Sequence, residues 1–219
     1  MPEGSRATKA QEKMAFFGRI TASLSHEMKN VLATINEFSG LLGDLLYAAD
    51  RGRPLDHNKL RNISRQIIHQ VARAEELIRR LNRFSHSVDL PQATCDIREL
   101  IMDLTTLTNR FAMLSQVKLE RRLPEVDIER TIDPFGFQQA VFLAIDLALG
   151  AATDQRVVTV GLADRGSGFQ VIVQSADPLP ALDPGNENVA LLQKVVAELQ
   201  GRVEWTSGQT TDSIVIWLP

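Results

Sequence analysis

A single cysteine, Cys95, stands in a chain of 219 residues. That excludes an intrachain disulfide framework and the cysteine-rich ligand sets of structural zinc sites, and it fits a reducing compartment. No apolar run is long enough to suggest a membrane span. The longest, Ala140 to Ala152, is interrupted by Asp146, whereas a spanning helix needs about 20 apolar residues. The start, Met1-Pro2-Glu3-Gly4-Ser5-Arg6, has charge but no apolar core before a small-residue cleavage site, so it does not read as a signal peptide. A cytoplasmic protein without membrane contact is expected. A dense basic face is also missing. Net charge is −3; residues 1–90 carry 14 basic and 10 acidic side chains, and residues 91–219 carry 10 and 17. The signs are interspersed, which speaks against nucleic acid and for a protein partner with an acidic face.

What is present is enough hydrophobic sequence, 44%, for one sizeable core or two small ones, and two compact units are expected. From about Ala10 to Tyr47, apolar residues recur at Ile20, Leu24, Met28, Val31, Ile35, Phe38, Leu42 and Leu45. This spacing is close to the 3.5-residue period of a bundled helix. Asp50-Arg51-Gly52-Arg53-Pro54 reads as a turn, and Asp56 can cap a second helix with apolar positions at Leu60, Ile63, Ile67, Val71, Ala74, Ile78, Leu81 and Phe84. Such a hairpin exposes an apolar seam, and pairing with a second copy into a four-helix bundle would bury it.

After Asp89-Leu90-Pro91 the pattern changes. Helices are expected from Asp96 to about Ser115, from Asp133-Pro134 to about Ala151, and from about Glu187 to Gln200. Strands are expected over 117–123, 127–132, 156–163, 169–175, 202–206 and 212–218. Gly166-Ser167-Gly168 resembles part of a phosphate loop, but strands flank it and no helix follows, so it reads as a hairpin turn. The expected domains are a helical hairpin over 1–90 and a mixed α/β unit over 91–219.

Chemistry concentrates on the first helix, in Ser25-His26-Glu27-Met28-Lys29-Asn30. At 100° per residue His26 lies roughly 160° from Met28 and from Leu24, so it points away from the apolar stripe. Asn30 shares its face, four residues on. One imidazole nitrogen can attack a phosphoryl group while the other keeps its proton, and Glu27 is the candidate to hold that proton. Asn30 is the candidate to orient a water or a phosphoryl oxygen. His57, His69 and His86 have no comparable setting, and no metal site is expected.

Ser25-His26-Glu27-Met28-Lys29-Asn30-Val31-Leu32 resembles the H-box of the dimerisation and histidine-phosphotransfer domain of two-component sensor histidine kinases. Arg73-Ala74-Glu75-Glu76-Leu77-Ile78-Arg79-Arg80-Leu81-Asn82-Arg83-Phe84-Ser85 resembles the end of that domain's hairpin, and the order of elements after Asp96 follows the kinase catalytic domain. The resemblance implies an α+β chain, a dimeric four-helix bundle followed by a Bergerat-type α/β sandwich. It also implies phosphorylation of His26, transfer assisted by Glu27, and dephosphorylation of a response regulator by Glu27 and Asn30.

The resemblance also exposes departures from the family's ATP site. It places the magnesium-binding asparagine on Leu147 and an earlier asparagine on Leu143, and an aliphatic side chain cannot ligate a hard cation. Asp146, one residue off, is expected to face about 100° away. The Asp-x-Gly-x-Gly box is replaced by Ser175-Ala176-Asp177-Pro178-Leu179, the span from Ala176 to Gly185 leaves room for only a short lid, and the phosphate turn is replaced by Asn186-Glu187-Asn188-Val189-Ala190. The resulting expectation is a degenerate, kinase-like domain without cofactor. Function would be that of a phosphotransferase that carries a phosphoryl group on His26 between response-regulator aspartates without ATP. Autokinase activity would be unlikely, magnesium would come from the partner receiver domain, and the chain would form a homodimer. The alternatives are a divergent ATP-dependent histidine kinase, a response-regulator phosphatase, or a binding module.

Overall fold

The computed structural model describes residues 3–152, 157–179, 185–208 and 211–219, with side chains from residue 9 onward. The chain divides into two compact units, Gly18–Asn82 and Met1–Phe17 with Arg83–Pro219.

The first unit is built on α1 (Glu3–Asp50) and α2 (His57–Ser87). α1 contains no proline, so nothing interrupts its backbone ladder over 48 residues. It begins earlier than the apolar periodicity alone indicates. The turn closes at Gly52, whose φ of +85° is the left-handed conformation that glycine adopts without a Cβ penalty. Asp56 then caps α2, its Oδ1 accepting from the backbone N–H groups of Asn58 (3.0 Å) and Lys59 (3.1 Å). Ile20, Leu24, Val31, Ile63 and Leu77 are buried along the seam. Of the apolar positions on α2, Val71 and Ile78 are exposed, and Leu77 is buried beside them. α2 thus carries apolar residues on more than one face. Leu32, Leu41, Leu46, Tyr47, Ile68, Val71 and Ile78 form the hydrophobic surface that a single hairpin leaves uncovered.

The second unit is a helical layer on a five-stranded sheet. Its strands are β2 (Lys118–Arg122), β4 (Val157–Asp164), β5 (Phe169–Ser175), β6 (Arg202–Ser207) and β7 (Asp212–Leu218), in the order β2-β4-β5-β7-β6. β2 and β4 are parallel and the remaining pairs antiparallel. β1 (Ala93–Asp96), absent from the sequence reading, pairs antiparallel with β3 (Glu129–Ile132). Three helices lie against the sheet: α3 (Ile97–Leu114) on β2, α4 (Pro134–Ala151) on β4 and β5, and α5 (Glu187–Glu198) on β6. The core runs between the layers. Alternation along β5 and β7 brings Phe169 opposite Leu218, Val171 opposite Ile216 and Val173 opposite Ile214, all buried. Among the described residues β6 pairs only with β7, so its outer edge is open.

α4 is the central helix, apolar on nearly all sides because it is surrounded. Among the described helices it alone is long and apolar enough to cross a membrane by length and composition, and it is 83% buried within the protein. The turn that resembles a phosphate loop joins β4 to β5, with the Arg165 N–H donating to Gly168 O at 2.8 Å and Gly166 at φ +73°.

Candidate functional site

His26, Glu27 and Asn30 occupy successive positions on α1, and the helix sorts them. His26 and Asn30 are exposed on one face, while Glu27, turned by one residue, is half-buried. Glu27 is held by Arg73 of α2, whose Nη2 donates to Glu27 Oε1. Among the described residues His26 has no hydrogen-bond or ion-pair partner. The imidazole is therefore open to a large reactant, and the carboxylate beside it is oriented across the hairpin. Arg73 is the residue that sequence reasoning did not single out here. Its signal was present: the antiparallel register sets a basic residue opposite the acid, but that register depends on where the turn closes.

A second constellation lies in the other unit, in a cleft of about 590 Å³. Its walls include Phe111 from α3, Asp146, Leu147 and Gly150 from the last turns of α4, and Asn186 and Asn188 at the start of α5. Asn186 caps α5, its Oδ1 accepting from the N–H groups of Asn188 (3.0 Å) and Val189 (3.4 Å). Asn188 Nδ2 donates to Asp146 Oδ2 at 3.5 Å. Asp146, which the sequence reading turned away from this place, lines the cleft beside Leu147. The reason is position. At the end of α4 the cleft wraps around more than one helix face, so a residue 100° away still borders it. Glu187, the acid in the stretch that replaces the phosphate turn, is exposed and lines none of the cleft. Asp177 is buried just after β5, and its backbone N–H donates to Ser175 Oγ at 3.1 Å. Half of the short span expected for the lid, residues 180–184, lies outside the described residues.

A magnesium nucleotide is the group that such a fold implies. Asp146 supplies an anionic oxygen of the hard type magnesium requires, and the positive end of the α5 dipole, whose Asn188 and Val189 amides are capped by Asn186, faces the same cleft. Leu143 and Leu147 supply only hydrocarbon, and both are buried. The donor set fits the group through Asp146 and Asn188 rather than through the positions the resemblance marks.

No known protein-family description matches the chain, and no curated protein does. Solved structures do. A histidine kinase from Burkholderia phymatum STM815 is 13% identical, with 92% of this chain and 96% of that one covered at a TM-score of 0.52. The Acinetobacter baumannii histidine kinase AdeS is 13% identical, with coverages of 88% and 96% and a TM-score of 0.51. The catalytic domain of histidine kinase ThkA is 14% identical, with 58% of this chain and 95% of that domain covered at 0.54.

These likenesses overturn one expectation. The sequence led to an ATP-free phosphotransferase, with autokinase activity unlikely, because three boxes of the nucleotide site had lost their usual residues. The superposition spans nearly the whole of a solved kinase catalytic domain, so the C-terminal unit is a kinase-type catalytic fold and not a reduced remnant. In that fold the cleft at the end of α4 is open and lined by a carboxylate. A helical hairpin joined to a Bergerat-type α/β sandwich, this chain has the fold of the phosphotransfer and catalytic segments of two-component histidine kinases.

Proposed function

We propose that this chain is a divergent ATP-dependent histidine kinase of a two-component pathway, phosphorylated on His26 and discharged to the receiver domain of a response regulator. The observation that carries this reading is the cleft at the ends of α4 and α5, in a kinase-type fold, with Asp146 on its wall. ATP bound there with magnesium would supply the phosphoryl group. His26 offers an unhindered ring nitrogen as the nucleophile. Glu27, positioned by Arg73, is the acid beside it that takes up the imidazole proton. Asp146 and Asn188 are the side chains that would hold the nucleotide. The hairpin is the dimerisation and phosphotransfer domain, and a second copy covers its exposed apolar residues.

Incubating the protein with γ-labelled ATP and magnesium tests the reading. Acid-labile, base-stable label is expected, lost in His26→Gln and strongly reduced in Asp146→Leu. Absence of label from the wild-type protein across nucleotide concentrations would overturn it. A response-regulator phosphatase is the second reading, favoured by the exposed Asn30 four residues from His26. It predicts that a phosphorylated receiver loses phosphate at the wild-type rate with His26→Gln and far more slowly with Asn30→Ala.

A further inference from the structure

Lys9, Glu12, Lys13 and Phe16 follow one another along a single stripe of α1, at the spacing of anchors that seat a helix in a groove. Each has a partner in the unit to which this stretch belongs. Lys9 Nζ lies 2.7 Å from Glu198 Oε2. Lys194 Nζ donates to both carboxylate oxygens of Glu12, at 2.8 and 2.7 Å. Lys13 Nζ is 3.7 Å from Asp133 Oδ2 and stands 5.4 Å from the centroid of the Phe135 ring. Phe16 is 4% exposed, with its ring 5.4, 5.2 and 5.2 Å from those of Phe84, Phe135 and Phe142. Three ion pairs of matched sign and an aromatic plug thus fix the leading turns of α1.

Apart from Phe84 on α2, the partners are confined to α4, its cap and α5. Asp133 is the N-cap of α4, Phe135 and Phe142 stand on α4, and Lys194 and Glu198 stand on the second half of α5. The opposite ends of the same helices frame the cleft, Asp146 and Gly150 on α4 and Asn186 and Asn188 on α5. α4 and α5 pack directly on each other. Packed helices shift as rigid bodies, so a change in their seating at one end is transmitted to the other.

We propose that residues 9–17 of α1 are a latch that grips α4 and α5 at one end and thereby sets the geometry of the cleft at the other. The same helix continues to His26, so a pull or twist on its leading turns is communicated to the cleft through the latch. Reciprocity requires that anything bound in the cleft also changes the hold on the latch. The proposal goes beyond the kinase reading and does not need a nucleotide.

Hydrogen exchange on the ligand-free full chain tests it, comparing wild type, Glu12→Lys, Lys194→Glu and the double charge swap. Each single reversal is expected to raise exchange about threefold or more over residues 9–17 and also over 146–151 and 186–191. The double swap is expected to restore both regions to within about twofold of wild type, since the pair is re-formed with its signs exchanged. Phe16→Ala should loosen both regions further. Faster exchange at 9–17 with the cleft segments unchanged would overturn the coupling, and so would single variants that change neither region. Because exchange is read without ATP, failure of the labelling experiment and failure of the latch are separate results.

Discussion

Cys95 shows how a single residue's surroundings decide its chemistry. It is half-buried on β1, and burial first, with the negative charge of Asp96 second, pushes the thiol from 9.0 up to about 11. The thiolate is the nucleophile, and at pH 8 only about one molecule in a thousand carries it. Alkylation by iodoacetamide should therefore be very slow at pH 8 and rise steeply toward pH 11, while the denatured protein reacts at the ordinary rate. The linkage has a sign. Between pH 9 and 11 the unfolded chain loses this proton and the folded chain keeps it, so stability falls across that window. At the same scale, the identity of His26 as candidate nucleophile was legible because its environment is set by helix periodicity alone. Asp146 was not. Its position relative to the cleft depends on where α5 begins and how α4 ends, and neither is encoded in the helix that carries it.

Among the elements, the helices and most strands could be read directly. The caps Asp96, Asp133 and Asn186 each do in the structure what their side chains predict, with Asp96 Oδ1 accepting from Arg98 N–H at 2.9 Å and Asp133 Oδ1 from Gly136 N–H at 2.8 Å. β1 escaped notice because four residues are too few to establish an alternation, and it exists through its pairing with β3. The leading turns of α1 escaped notice for another reason. Their stripe is charged rather than apolar, and it becomes meaningful only beside Asp133, Lys194 and Glu198, more than 100 residues later in the chain. The β4–β5 turn carries a prediction of its own. A Cβ at Gly168 would stand 2.4 Å from the carbonyl oxygen of Leu218 on β7, and backbone cannot yield as a side chain can. Gly168→Ala should lower stability by about 1–3 kcal/mol, the usual cost of overpacking, measured by chemical denaturation. A change of a few tenths would show that the strands separate freely there.

For the molecule as a whole, exposed hydrophobic surface carries the strongest expectation. Ile68, 65% exposed, and Leu32, 53% exposed, belong to a set of apolar side chains along the hairpin. Surfaces of this kind are stable when covered by another protein surface. Light scattering should give a mass twice the 24.3 kDa of the chain, and Ile68→Glu together with Val71→Glu should shift it toward that of one chain. A wild-type protein that remains monomeric at high concentration would count against the hairpin as the dimer interface.

The β6 margin of the sheet calls for the opposite behaviour. β6 offers its unpaired backbone groups along one side, and such a strand can template the addition of foreign strands. Here Arg202 lies over the Trp217 ring at 4.4 Å and donates to Glu204 Oε1 at 2.9 Å, while Trp217 Nε1 donates to Glu204 Oε2, also at 2.9 Å. An incoming strand would have to lie alongside a fixed cation and a fixed anion whose partners are already chosen. With the exposed apolar side chains on the helices and fixed charges along this sheet edge, association driven by apolar burial is expected to stay finite instead of growing into a fibre.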